Sequence, residues 1–283
     1  MTRTKAFLFA LAGMVVAASV GGLVGGGAAV ALVKSAYNGP VNDGSAFEVV
    51  VHSEVLGETI RLGVRRPVEY ASSRERRFPV LWVLDGPAQG GEVFATTQAL
   101  ARIGASQPSI VVEVPRSGAG RSRDFSPPGK EGDSDDGQAD RFLRFLETEA
   151  IPAVESRLRV DSARVLVGNS LGGLFTLYAL AKRPELFDGY FAFSPSVWVD
   201  DEAIVPVLQR GLQRPGVTGK FLFASVGSQE GNEMVSGFEA LRTVLESHAP
   251  EGLEWQLDVT ADADHGSNAR LSYPVALSRY WSR

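Results

Sequence analysis

The hydrophobic residues of this chain form short continuous runs that alternate with longer helix-like segments. From Phe47 onward, this alternation predicts a mostly parallel sheet covered by helices on both faces. Eight runs have strand character: 47–53, 58–67, 79–85, 109–114, 164–167, 189–193, 220–226 and 253–260. Helices are predicted over 92–103, 139–158, 171–182, 201–212, 235–248 and 271–281.

The connections between these elements refine the fold. Residues 54–57 alone separate the first two strands. That connection is too short for a crossover helix, so the two strands should form an antiparallel hairpin. Residues 115–137, rich in Gly, Ser, Pro and charge, are predicted to form a long loop after the fourth strand. The fold class is therefore α/β: a mostly parallel eight-stranded sheet with an antiparallel N-terminal hairpin.

The N-terminal segment has the character of a membrane or export signal. Arg3 and Lys5 precede an uncharged run over residues 6–33, which is long enough to span a bilayer and longer than the apolar core of a signal peptide. A retained signal anchor is the first interpretation, and a signal cleaved near Ala18 is the alternative. By the positive-inside tendency, the rest of the chain would lie in the periplasm or outside the cell.

Composition bounds the remaining possibilities. With 44% hydrophobic and 22% charged residues, the chain has the profile of an ordinary globular protein. We divide it into an anchor or signal segment (1–36), a linker (37–46) and one globular domain (47–283). The net charge of -5 gives no support for a nucleic-acid partner. The absence of cysteine excludes disulfides, thiolate metal sites and a cysteine nucleophile.

The stretch Gly168-Asn169-Ser170-Leu171-Gly172 is the strongest chemical signal in the chain. A β-branched strand precedes it and a helical pattern follows, which is the context of the nucleophile elbow of serine hydrolases. Glycines around the serine permit the tight turn, because bulky side chains there would collide with the neighbouring strand and helix. Gly168, Gly172 and Gly173 meet that need, and Ser170 is the candidate nucleophile. A glycine-rich turn without chemistry is the alternative.

A serine hydroxyl needs a base, and the chain offers three histidines. His52 lies in the predicted hairpin and His248 near a helix end, both far from the predicted active-site edge. His265 follows the last strand, where the hydrolase template places its histidine. His265 is therefore the candidate base, and a surface loop histidine is the alternative.

The acid that would orient this base is less narrowly determined. The template places it after the strand that precedes the histidine's strand, which selects Glu230. Asp262 and Asp264 are rivals because they neighbour His265 in sequence. A Ser-His dyad without an acid also stays open.

The developing oxyanion requires backbone N–H donors. The residue after the nucleophile supplies one, which is Leu171, and the loop after the third strand supplies the second. Pro87 has no N–H, so that second donor is Gly86 or Ala88. A plain turn at Asp85-Gly86 is the alternative.

Taken together, residues 47–281 resemble the putative-esterase family of α/β-hydrolases, which includes siderophore trilactone esterases, feruloyl esterases and mycolyltransferases. The resemblance is carried by five motifs: Val83-Leu84-Asp85-Gly86, Arg121-Ser122-Arg123-Asp124-Phe125-Ser126-Pro127, the elbow continuing to Asp188, Ser194-Pro195-Ser196-Val197-Trp198, and His265-Gly266-Ser267. It looks closest to the enterobactin and salmochelin hydrolase branch, whose periplasmic members carry an N-terminal membrane segment.

The resemblance implies an α/β-hydrolase fold and a serine carboxylic-ester hydrolase, with a siderophore-type trilactone as one substrate class. It carries Ser170 and His265 over as nucleophile and base, and Leu171 and Gly86 as oxyanion donors. Glu230 transfers more weakly, since the family varies in whether an acid completes the triad. Asn169 departs from the histidine that the family often has there, which is expected to alter the pocket.

Three further side chains are candidates for substrate binding. Arg121 and Arg123 are suited to carboxylate or catecholate oxygens, and Trp198 to stacking on a ring. A structural Arg123–Asp124 ion pair and a Trp198 packed against the sheet end are the alternative.

The hypothesis is thus a membrane-tethered or exported serine esterase acting on a small-molecule ester, with no metal or organic cofactor. An acyltransferase of the same fold and a non-catalytic binding protein are the alternatives.

Overall fold

Eight strands form one sheet in the order β1-β2-β4-β3-β5-β6-β7-β8. In this computed structural model, which describes residues 46–116, 118–128 and 137–283, β1 and β2 form an antiparallel hairpin. β2 also pairs antiparallel with β4, and the remaining pairs are parallel. The strands are β1 Ala46–Ser53, β2 Glu58–Arg65, β3 Phe78–Leu84, β4 Ile110–Val114, β5 Val160–Asn169, β6 Gly189–Phe193, β7 Phe221–Gly227 and β8 Glu254–Thr260. The predicted fold class is confirmed.

Helices follow the strands. They are α1 Glu69–Ser72, α2 Gly86–Arg102, α3 Gly118–Phe125, α4 Ala139–Phe145, α5 Ile151–Glu155, α6 Leu171–Lys182, α7 Val199–Glu202, α8 Ile204–Gly211, α9 Asn232–His248 and α10 Asn268–Trp281. One π-helical turn, Leu146–Ala150, joins α4 to α5, so the three together form the long helix that the sequence predicted there. Short 3₁₀ turns occur at Pro184–Leu186 and Pro215–Val217.

The sheet separates two apolar layers, as expected for strands whose successive side chains point to opposite faces. On one face, α2 and α10 pack over alternate residues of the central strands. On the other face, α4, α6, α8 and α9 cover the intervening residues. All seven residues of β3 are buried, because both of its faces are covered and β4 and β5 flank it.

Two sequence predictions about the loops were wrong. The helix predicted from residue 92 begins at Gly86, because Pro87 in the first turn costs no intrahelical hydrogen bond there. The predicted loop over 115–137 contains α3, a largely polar helix without a strong apolar stripe. Its Phe125 and Asp124 are nevertheless buried, so tertiary packing holds this helix.

The N-terminal predictions lie outside the described residues, apart from Ala46 at the end of the linker. This applies to the anchor or signal segment, its cleavage alternative and the linker. Among the residues that the structure does describe, no helix is both long and apolar enough to cross a membrane.

Candidate active site

Ser170 lies at the sharp turn between β5 and α6. Its backbone has φ 61° and ψ -122°, a conformation that is costly for a residue with a side chain and is found at functional sites held by their surroundings. Two hydrogen bonds constrain this backbone conformation: the Ser170 N–H donates to the Phe193 carbonyl at 3.0 Å, and the Ser196 N–H donates to the Ser170 carbonyl at 3.2 Å. Neighbouring β6 and the segment after it therefore fix the turn.

The glycines of the elbow do not contribute equally. A Cβ on Gly168 would lie 2.1 Å from the Gly172 carbonyl oxygen, and one on Gly173 would lie 2.8 Å from the Phe193 carbonyl oxygen. Both contacts are too close for real atoms. A Cβ on Gly172 would meet nothing nearer than 3.5 Å, so this position has room for a methyl group. Space exists there because that position faces the end of β3.

The structure brings His265 and Glu230 together. His265 follows β8 and Glu230 follows β7, so both lie at the carboxyl edge of the sheet. His265 Nδ1 is 2.7 Å from Glu230 Oε2, and the Glu230 side chain is fully buried. Asp264 instead accepts hydrogen bonds from Ser267 and from the Gly266 N–H. Of the acids the sequence left open, Glu230 is the one in contact with the histidine.

These contacts set the protonation of the pair. Burial raises the pKa of Glu230, but hydrogen bonds from His265, the Gly227 N–H and the Ser194 hydroxyl outweigh it, so the net pKa is lowered. The hydrogen bond that His265 donates to Glu230 raises the pKa of His265, while burial and the charge of Arg121 oppose that shift. Glu230 is therefore ionised near neutral pH and favours a proton on Nδ1 of the imidazole.

Ser170 and His265 line the same pocket, which has a volume of about 380 Å³. Ser196, Trp198, Asn232 and Met234 complete most of its wall. The Ser170 hydroxyl is 3.4 Å from that of Ser196. Because both side chains line one pocket, a substrate bound there can contact the candidate nucleophile and the candidate base together.

A buried polar network supports Glu230 from below. Ser194 Oγ donates to Glu230 Oε1 at 2.7 Å, and Asn268 Nδ2 donates to Ser194 Oγ at 2.8 Å. Asn268 is fully buried, and its Oδ1 accepts from the hydroxyls of Thr260 and Ser272. Asn268 orients the Ser194 hydroxyl, and this hydroxyl in turn orients the Glu230 carboxylate.

The two predicted oxyanion donors both begin helices. Leu171 is the first residue of α6 and Gly86 the first of α2, where N–H groups have no intrahelical partner and the helix dipole favours negative charge. The Ala88 N–H donates to the Asp85 carbonyl and is therefore occupied. Of the two candidates for the second oxyanion donor, this favours Gly86. A Cβ at Gly86 would lie 2.4 Å from the Glu113 Cα, so glycine is required for this close approach to β4.

The structure places both candidate arginines in ion pairs. Arg121 donates from Nε and Nη2 to both carboxylate oxygens of Asp85, at 2.7 and 2.8 Å. Arg123 pairs with the buried Asp124, as the structural alternative had it. Neither arginine is among the residues that line the Ser170 pocket, whereas Trp198 does line it and is 41% exposed.

Asn169 faces away from the Ser170 pocket. Its side chain lines a separate cavity of about 190 Å³ between α2 and α10, where Gln89, Thr96 and Tyr273 are among its neighbours. Its Oδ1 is buried there without a hydrogen-bond partner among the described residues. The departure from histidine at this position thus acts on the cavity behind the elbow.

Sequence reasoning missed Ser194, Ser196 and Asn268 as parts of the site. A signal existed for the serines, since they directly follow β6 and polar residues after parallel strands gather at the carboxyl edge. Asn268 gave no such signal, because its role depends on contacts with β6 and β7. Within the described ranges, no cluster of His, Asp and Glu could hold a metal ion.

Known proteins share both sequence and fold with this chain. A siderophore triacetylfusarinine C esterase of Aspergillus fumigatus is 36% identical over 156 residues, covering 50% of this chain and 53% of the relative. The ferri-bacillibactin esterase BesA of Bacillus subtilis is 32% identical over 145 residues, covering 42% and 48%. The matches thus span about half the length of these curated relatives.

Solved structures extend the likeness to most of the chain. An IroE-like serine hydrolase from Shewanella oneidensis superposes with a TM-score of 0.76 at 26% identity, covering 84% of this chain and 80% of that one. The BES protein from Bacillus cereus has a TM-score of 0.75 at 24% identity, over 85% and 97%. The family model described as "Putative esterase" matches residues 53–256. The chain belongs to the putative esterase family and has its α/β-hydrolase fold.

Proposed function

We propose that this protein is a serine esterase that works through an acyl-enzyme. The Ser170 Oγ attacks the ester carbonyl carbon, and His265 Nε2 takes the hydroxyl proton. The N–H groups of Leu171 and Gly86 stabilise the oxyanion of the tetrahedral intermediate. The C–O bond to the alcohol then breaks, and His265 returns the proton to the departing oxygen. Water, activated by the same histidine, releases the acid and restores Ser170.

The observation that carries this proposal is the geometry of His265. It contacts the buried carboxylate of Glu230 through Nδ1 and shares a pocket with Ser170. The imidazole is therefore oriented as a base, with Nε2 left for the serine proton. The positive φ of Ser170 supports the same role, because the strained turn presents the hydroxyl to the pocket.

The substrate class proposed is a siderophore-type ester, with a trilactone as one form. Support comes from the relatives, which include esterases of triacetylfusarinine C and ferri-bacillibactin. The pocket beside Ser170 is open enough for a bulky ester, and Trp198 offers an aromatic surface to it.

We also propose that the catalytic domain works outside the cytoplasm, tethered or released through the N-terminal segment. The uncharged run over residues 6–33 behind Arg3 and Lys5 supports this. Fractionation of producing cells should find the protein in the membrane or the exported fraction. A purely cytosolic pool would contradict the proposal.

Comparing the full-length protein with its Ser170→Ala variant tests the chemistry. We expect hydrolysis of p-nitrophenyl butyrate and covalent labelling by a fluorophosphonate probe, both lost in the variant. Ser72→Ala, an exposed serine on α1, serves as the matched control and should retain both. Labelling without hydrolysis would favour an acyltransferase, and folded protein with neither would favour a binding protein.

A further inference from the structure

Trp198 and Met234 give the wall of the Ser170 pocket an apolar surface. Trp198 is 41% exposed, and its Nε1 donates to the Met234 Sδ at 3.0 Å, so an indole and a thioether form one surface facing the pocket. An exposed tryptophan beside a nucleophile is an efficient platform for a ring or for an alkylammonium group.

The charge around this apolar surface is of one sign. Three fully described segments, 194–204, 226–236 and 261–268, follow β6, β7 and β8 and contribute Ser196, Trp198, Glu233 and His265 to the pocket. Together they hold seven carboxylates and no lysine or arginine. Glu230 is bound to His265, and the other six are Asp200, Asp201, Glu202, Glu233, Asp262 and Asp264, of which all but Glu202 are exposed.

Three arginines on α3 and α10 are ion-paired with carboxylates. Arg121 is held by Asp85, Arg123 by Asp124, and Arg270 by Glu92. An ion-paired guanidinium offers little net charge to a ligand.

We propose that the Ser170 pocket selects its ester by charge, accepting uncharged and ammonium-bearing esters and disfavouring anionic ones. This rests on the proposed esterase function. A negative charge beside the scissile carbonyl is repelled by Glu233 in the pocket wall and by the other carboxylates on the same three segments, while a positive charge is attracted by these carboxylates and by the face of Trp198. Among iron-chelating esters, the pocket is thus suited to ligands whose ferric complex is uncharged, such as hydroxamates, and not to polyanionic catecholates.

Isosteric esters test the proposal on the full-length protein. The acyl series comprises the p-nitrophenyl esters of γ-trimethylammoniobutyrate, of its carbon isostere γ-tert-butylbutyrate, and of glutarate. A second series, acetylcholine, its carbon isostere dimethylbutyl acetate and O-acetyl-β-hydroxypropionate, places the charge on the alcohol half. Each kcat/KM is measured against Ser170→Ala as the background, at ionic strengths of about 0.02 M and about 0.5 M.

In at least one series, we expect the anionic ester to have a kcat/KM at least about tenfold below that of its neutral isostere at low salt. The gap should shrink at high salt, since ions screen exposed charges. Glu233→Lys should also reduce the difference in kcat/KM between the anionic and the neutral ester. Glu251 is an exposed acid in the turn before β8, at the opposite sheet edge, and Glu251→Gln should leave that difference unchanged.

Two results would overturn the proposal in different ways. Equal kcat/KM values for the anionic and neutral esters in both series would leave the esterase function standing and remove charge selection. The same would follow from a gap that neither salt nor Glu233→Lys changes, because shape would then explain it. No Ser170-dependent hydrolysis of any ester would remove the esterase function itself.

Discussion

Glu230 is buried as an anion because hydrogen bonds replace the water that it loses. His265, the Gly227 N–H and the Ser194 hydroxyl all donate to its two oxygens. A carboxylate satisfied in this way keeps its charge in the interior and raises the proton affinity of the imidazole beside it. The pKa of Glu230 is lowered and that of His265 is raised. These two directions are the ones expected for a base oriented by an ionised acid.

Replacing Glu230 by glutamine should expose this coupling in the pH profile. In the proposed mechanism the active base is neutral His265, so activity is expected to fall as the pH drops through its pKa, which lies above the ordinary 6.5. Without the carboxylate that pKa falls, and the acid limb of kcat/KM moves to lower pH. The rate itself should drop about 100-fold or more, because the imidazole loses its orientation.

The control for this experiment is Asp262→Asn, an exposed rival acid in the His265 loop at φ 57°, a conformation that asparagine tolerates. Asp262→Asn should leave both the acid limb of the kcat/KM profile and the rate nearly unchanged. The assignment fails if Asp262→Asn costs the activity and Glu230→Gln does not.

In the proposed mechanism, Asn268 is a positioning residue that acts on Glu230 through Ser194. Asn268→Ala removes the donor to Ser194 and the Oδ1 that accepts from buried Ser272 and half-buried Thr260, at a cost of about 1–3 kcal/mol in unfolding free energy. We expect kcat to fall with KM nearly constant. Thermal unfolding and steady-state kinetics measure the two effects; a lower melting temperature with unchanged kcat would make the network purely structural.

At the scale of elements, the elbow depends on how closely α6 approaches β6. Gly173 permits that approach, since a Cβ there would meet the Phe193 carbonyl oxygen at 2.8 Å and the Pro195 Cα at 3.0 Å. The same two elements hold the strained Ser170 through the bond from its N–H to the Phe193 carbonyl. The packing of α6 and the backbone geometry of Ser170 therefore depend on the same contact with β6.

Gly173→Ala and Gly172→Ala form a matched pair that tests this feature. The first should lower the unfolding free energy by about 1–3 kcal/mol and reduce kcat, because α6 must move away from β6. The second has space and should be neutral or slightly stabilising, since alanine favours the helix. Chemical denaturation and esterase assays on both variants decide; equal effects would contradict the steric account.

At the scale of the whole molecule, α3 is tied to the sheet by charge. Asp124 on α3 is fully buried and receives both Arg116, which follows β4, and Arg123. Arg116 also reaches Glu58 at the start of β2. This network fixes the segment after β4 over the carboxyl edge of the sheet, close to Asp85 and the elbow.

Asp124→Asn should therefore be strongly destabilising, by about 3–5 kcal/mol, because it leaves the nearly buried Arg116 without its internal counterion. Arg61→Gln breaks an exposed pair with Glu48 and should cost less than about 1 kcal/mol. Urea unfolding of both variants measures the difference. A loss of equal size in the two would show that burial does not govern these pairs.

Local patterns determined much of this protein. Apolar runs and connection lengths were enough for the eight strands and the hairpin, because strand character and short turns depend on neighbours in sequence. The elbow motif and the scarcity of histidine selected Ser170 and His265, and the template order selected Glu230. These predictions rely on spacing along the chain, which the sequence displays directly.

Only the tertiary structure decided the rest. The sequence left three acids open for His265, and packing brought Glu230 to its Nδ1. The sequence predicted a loop where the structure has α3. It also suggested Arg121 as a substrate-binding residue, whereas Arg121 is paired with Asp85 in the folded chain. Asn268 gave no signal, since its partners come from three other elements. Contacts between residues distant in sequence form only when the sheet assembles, and that assembly completes the site around Ser170.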